Sequence, residues 1–147
     1  MKRRMMAIAC LAAGLVMIGS SAQAAEPCPA NGRELPVEAL FGSWEARIEG
    51  EPGLAQLRLA RHPDYAGVSG SIERTADGQS RSARVAGDID DEGLLSIDES
   101  DDGQRISGVW LGELRPESCG KEFRGVWRNA LDDSTHSFTL NKIGNWK

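Results

Sequence analysis

Side chains able to do chemistry are few and scattered in this chain. His62 precedes Pro63 in a turn-like stretch and His136 lies far downstream. Neither stands with a Ser, Cys or Asp in a nucleophile–base spacing, and no G-x-S-x-G elbow or Gly-rich phosphate loop occurs. This inventory reads as a non-enzymatic protein without a cofactor. One metal-type pattern is present. Asp88-Ile89-Asp90-Asp91-Glu92-Gly93, followed by Ser96 and Glu99, places carboxylates at positions one, three, five and twelve of a calcium loop, with Gly at six. Such a loop needs a helix on either side, whereas β-type residues flank this one. An Asp-rich turn is therefore the preferred reading, and no metal is assigned.

Two further groups suit binding. Trp44, Trp110, Phe123, Trp127 and Phe138 fall on the inward parity of the strands described below, with Asn129 near one end. Inward aromatics can line an apolar ligand cavity with a few polar groups, or simply fill a narrow barrel. The second group is the acidic turns, with Glu51, Asp77, Asp101, Asp102, Asp132 and Asp133. They offer a surface to a basic secreted protein, or serve only as solvated turns.

The elements that position these residues follow from alternation. Val68-Ser69-Gly70-Ser71-Ile72, Val85-Ala86-Gly87-Asp88-Ile89, Ile106-Ser107-Gly108-Val109-Trp110 and Phe123-Arg124-Gly125-Val126-Trp127 share an apolar-x-Gly-x-apolar figure. A period of two belongs to strands with one buried face. A Gly on that face lets a sheet bend toward closure. Eight strands are expected at about 42–49, 54–61, 66–74, 80–89, 94–99, 104–114, 122–129 and 136–143, after a short helical turn at 37–41. Ile106, Trp110 and Leu114 are expected inward on the sixth. The spacing of 17 residues from Gly70 to Gly87, and again from Gly108 to Gly125, suggests Gly facing Gly in each hairpin. Short turns favour an up-and-down meander, and closure removes its edges. The fold is thus read as an all-β, eight-stranded antiparallel up-and-down β-barrel.

In a meander alternate turns fall at opposite ends. The turns at 62–65, 90–93 and 115–121 share one end with the lead-in and the C-terminus, where Trp146 returns as a plug. The acidic turns share the other end, which is the expected mouth. His62 and His136 fall at opposite ends. Cys28 and Cys119 fall at the same one, so a disulfide between them is sterically sensible.

Residues 1–24 read as a cleaved signal peptide. Lys2, Arg3 and Arg4 precede an apolar run from Ala7 to Ile18, and Ala22-Gln23-Ala24 supplies a small-x-small site. Cleavage removes Cys10, and two cysteines in an exported chain most often pair. Residues 25–41 form an extended lead-in and 42–147 one barrel domain. The apolar run is too short to span a membrane and none follows it. Losing three basic residues takes the formal charge from −5 to −8. An acidic domain without basic clusters disfavours nucleic acid as a partner.

Gly42-Ser43-Trp44 on the first strand is similar to the G-x-W opening of lipocalins and avidins, and the Gly-centred strands resemble the repeated strands of avidins. The resemblance covers 42–143 and implies a ligand-holding up-and-down barrel. Ile72 and Ile89 stand where avidins place a ligand-contacting Tyr, and the fifth strand lacks their paired tryptophans, so biotin binding is not carried over. Lipocalins close the first Trp with an Arg near the last strand. Lys142 is the nearby cation here and is not equated with it. Export, size and disulfide are also shared with small periplasmic inhibitors of proteases and lysozymes, whose specific motifs are missing. The combined expectation is a periplasmic or secreted binding barrel that takes a small, mainly apolar molecule. The alternative is an inhibitor of a basic hydrolase acting through the acidic loops.

Overall fold

In a computed structural model, which describes residues 27–144, every strand pairs with its neighbours in sequence and the first closes on the last. The strands are β1 (Gly42–Ile48), β2 (Ala55–Arg61), β3 (Val68–Ala76), β4 (Gln79–Ile89), β5 (Leu94–Ser100), β6 (Gly108–Leu114), β7 (Glu122–Asn129) and β8 (Thr135–Gly144). The eight-stranded antiparallel barrel is thus the fold of the protein, and the short turn before β1 is a 3-10 helix at Val37–Leu40. The signal peptide, Cys10 and Trp146 lie outside the described residues. Among the described residues no helix is long and apolar enough to cross a membrane.

Alternation builds the core. On β1, Gly42, Trp44, Ala46 and Ile48 are buried while the residues between them are not. The same rule turns Leu57, Ile72, Val85, Leu95, Ile97, Trp110, Phe123 and Leu140 inward. Trp44, Trp110 and Phe123 have no solvent exposure at all. Trp44 packs 5.8 Å from Phe123, and Phe138 meets Trp110 edge-on at 4.9 Å. An eight-stranded barrel is just wide enough for its own side chains, and here they fill it.

Two expectations are corrected. Ile106 does not belong to β6. It is half exposed in a loop, because Asp102 gathers the backbone N–H groups of Gln104 and Arg105 and delays the strand to Gly108. The glycines also do not face one another as expected. The two-residue Asp77-Gly78 turn fixes Ala76 opposite Gln79, which leaves Gly70 opposite Val85 and Gly87 opposite Val68. On β6 and β7, Gly112 is what faces Gly125, while Gly108 faces Asn129. Wall bending survives the correction. A Cβ on Gly70 would overlap the Arg58 carbonyl of β2, and one on Gly87 the Ser96 carbonyl of β5. Those strands can come so close only where a side chain is missing.

One end is sealed. Cys28 and Cys119 are disulfide-bonded with their Cα atoms 4.5 Å apart, tying the lead-in to the β6–β7 connection. Leu40 of the 3-10 helix is buried, and its carbonyl accepts a 2.8 Å hydrogen bond from Trp44 Nε1. Lys142 Nζ donates to the Ala39 carbonyl at 2.5 Å and lies 5.3 Å from the centre of the Trp44 ring. Burial, and then the charge of Lys121, hold the Lys142 ammonium below its ordinary pKa. Lys142 does therefore close over the first tryptophan, by a cation–π contact and one carbonyl.

Candidate functional site

The other end is open, and its chemistry comes from strand parity carried one step beyond the apolar core. On β3 the parity of buried Val68 and Ile72 continues to Arg74. On β5 the series Leu95, Ile97 continues to Glu99. Glu99 is 3% exposed, the one buried charged residue of the described core, so it must be paired. Arg74 meets it with both terminal nitrogens, Nη1 to Oε1 and Nη2 to Oε2 at 2.9 Å. Trp110 Nε1 donates to the same Oε2 at 3.1 Å. The guanidinium lies over two rings, 5.4 Å from the centre of Trp127 and 5.9 Å from that of Trp110. Bidentate pairing and ring stacking are what a planar guanidinium does and an ammonium cannot.

Gly108 makes room for this layer. A Cβ there would stand 2.5 Å from Trp127 Nε1 and 3.2 Å from Glu99 Oε2. The indole of Trp127 lies against that bare backbone. Its ring is 7% exposed, and its Nε1 is buried without a hydrogen-bond partner. An indole N–H is a donor only, and leaving it unpaired costs the desolvation of the group.

Above this floor a cleft of about 540 Å³ is lined by Trp127, Asn129, Ala83, Arg74, Arg81 and Glu99 among others. A second hollow of about 290 Å³, beside the Glu51–Leu54 turn, shares Arg74, Arg81 and Glu51 with it. Arg74 and Arg81 are direct partners across β3 and β4, the register set by the Asp77-Gly78 turn. In that turn both residues have positive φ, 51° and 74°, the conformation of a two-residue hairpin connection. Like charges directly opposite one another repel. Glu99 neutralises Arg74, while Arg81 has no ion-pair partner among the described residues.

The residues singled out from sequence separate by depth. Trp44, Trp110, Phe123 and Phe138 are core, and only Trp127 and Asn129 of that group border the cleft. Glu51 and Asp101 stand at the cleft and Asp77 at the smaller hollow. The other three acidic residues are held by their own turns. Asp102 accepts from the Gln104 and Arg105 backbones at 2.8 Å and pairs with the Arg105 side chain. Asp132 accepts from the Ser134 N–H and hydroxyl, and Asp133 pairs with Arg128 at 2.8 Å. Those hydrogen bonds hold Asp102 and Asp132 below the ordinary carboxylate pKa, Asp102 chiefly through backbone N–H groups and Asp132 chiefly through the Ser134 hydroxyl.

The calcium-type segment folds as the β4–β5 hairpin, with Asp88 opposite Ser96. Asp90 Oδ1 accepts from the Glu92 and Leu94 N–H groups within the turn. Asp88 points outward and Glu99 inward, on opposite sides of the wall, so the first and last carboxylates do not converge. His62 caps Asp64 N at 3.1 Å, at the sealed end. His136 Nδ1 lies 2.9 Å from the Glu49 carbonyl, at the open one. The sequence reading found few polar groups on the inner face beyond the indoles, and thereby missed Arg74 and Glu99. Their parity was legible, since each lies two residues past an inward Ile.

No protein-family model matches the chain, and no match to a curated protein reaches significance.

Proposed function

We propose that the protein is an exported, non-enzymatic binding barrel that takes a small amphipathic molecule, mainly apolar, in the cleft above Trp127. The observation that carries this reading is the contrast in filling. The barrel is solid through Trp44, Phe123 and Trp110, and opens at the far end, where Trp127, Ala83 and Asn129 face a cleft of about 540 Å³ and Ala46, Ile48 and Ala55 face the smaller hollow. That volume suits a small ligand, and its lining sets Trp127, Ala83 and Leu131 among polar and charged groups. The ligand's apolar body would rest on Trp127 and Ala83, with its polar part toward Asn129 and the arginines. The Cys28–Cys119 bond supports export, because such bonds persist in oxidising compartments.

Native mass spectrometry of the protein purified from its own host tests this. The expected result is a retained small molecule, lost when Ala83→Phe fills the cleft floor. A protein that carries no adduct and shows no saturable change of tryptophan fluorescence with 1-octanol would overturn it. The inhibitor reading keeps three supports, Glu51, Asp77 and Asp101, which make no ion pair among the described residues. Failure of a low-salt pull-down to retain any basic partner would remove it, since charge steering is strongest there.

A further inference from the structure

We infer that the ligand of the mouth cleft is a monoanion, an apolar body ending in one carboxylate or a group of like charge, seated on Arg81 and the free edge of Arg74. The inference rests on the binding role proposed above and deepens it.

Where β3 and β4 meet, the cleft holds donors whose partners are incomplete. Arg81 lines both hollows with no carboxylate on its guanidinium among the described residues. Arg74 gives Nη1 and Nη2 to Glu99 and keeps Nε. Asn129 uses its oxygen to accept from Leu131 N at 2.8 Å, which leaves its NH2 group free to donate. The acceptors are Glu99, three of whose bonds are already made, and the exposed carboxylates of Glu51 and Asp101 at the rim. A ligand that supplies acceptor oxygens completes this set, and a carboxylate matches the fork of a guanidinium. It would also offset the repulsion between Arg74 and Arg81, which face each other across the hairpin.

The rim limits the charge. Glu51, Asp101 and Asp77 border the same hollows and face solvent, where water and salt weaken them. Their charge works against a polyanion such as a nucleotide or a polyphosphate. Trp127 and Ala83 then select an apolar body.

Three probes of equal length and different head, octanoate, 1-octanol and octylamine, separate the possibilities by calorimetric titration at pH 7. Octanoate is expected to bind at least about tenfold more tightly than octanol, the worth of one charge-assisted hydrogen-bonded pair. Arg81→Gln is expected to collapse that ratio toward one. Equal binding of octanoate and octanol would overturn the monoanion while leaving the binding role standing. Tighter binding of octylamine would overturn it in favour of the rim carboxylates. Binding of none of the three would contradict the binding role itself. Arg81 is exposed at the end of a strand, so its loss spares the fold. Arg74→Gln would strip Glu99 of its partner and is the poorer test.

Discussion

The two ends of this barrel use the same parts, a tryptophan beneath a cation, to opposite effect. At the disulfide end Trp44 has its N–H bonded to Leu40 and is covered by Lys142, which is itself bonded to Ala39. Every polar atom of that arrangement has a partner, and a 3-10 helix and a disulfide lie across it. At the mouth Trp127 lies under Arg74, but among the described residues its N–H has no partner and the neighbouring Arg81 has no counter-ion. A satisfied end is structure. The other end, with its hollow beside Arg74 and Arg81, is where we place binding.

Breaking the sealed end should cost most. Cys119→Ser opens a loop whose ends are 91 residues apart in sequence. The expected loss is about 4 kcal/mol in urea unfolding, from the entropy restored to the unfolded chain. Unchanged stability after reduction would show that the bond is no staple. Next comes the ion pair. Glu99→Ala strands the Arg74 charge and the Trp110 N–H, for an expected loss of about 3 kcal/mol, held to that by the partial exposure of Arg74. The double change Arg74→Leu/Glu99→Leu should recover most of it, and strictly additive losses in the double-mutant cycle would refute the pairing.

Smaller effects sharpen the contrast. Lys142→Ala should cost about 1 kcal/mol through the lost ring and stem contacts, and Lys142→Met should restore the stem part. The folded Lys142 pKa lies below its ordinary value of 10.5, so between those two values the unfolded chain binds more protons. Stability should therefore rise as pH climbs through that window, and this rise should vanish in Lys142→Met. The smallest effect belongs to the mouth loops. Asp102 and Asp132 are depressed carboxylates, so what they contribute is present above 3.8 and lost as pH falls through their folded values. Their titrations, followed by nuclear magnetic resonance, should have midpoints below 3.8. Midpoints at that value would mean that the turn hydrogen bonds do not form.

The sequence made the barrel readable because the buried residues of each strand keep one parity, and the turn residues mark each reversal. The shared end of Cys28 and Cys119 followed from counting turns. What escaped was register and the ends of strands. Gly70 and Gly87 are 17 residues apart, but the turn at Asp77-Gly78 decides which residues meet, and it staggers them by two. Arg74 and Glu99 were hidden by their charge. Parity places both inside, yet a charged residue near a turn reads as solvated until its partner on another strand is known. Their pairing depends on β3 and β5 flanking β4, so that Arg74 reaches past that strand to Glu99, which no local pattern records. The calcium-type spacing folds as the Asp-rich turn expected of it, and alternation sends Asp88 and Glu99 to opposite sides of the wall.

The central claim is that the interior is closed to ligand and that binding is confined to the layer over Trp127. The indole N–H signals of the labelled protein report it directly, because each tryptophan gives one resonance. On titration with octanoate the Trp127 signal is expected to shift saturably while that of Trp44, bonded to Leu40 beneath a filled core, stays in place. A Trp44 signal that moves as far as that of Trp127 would show ligand inside the barrel and contradict the account.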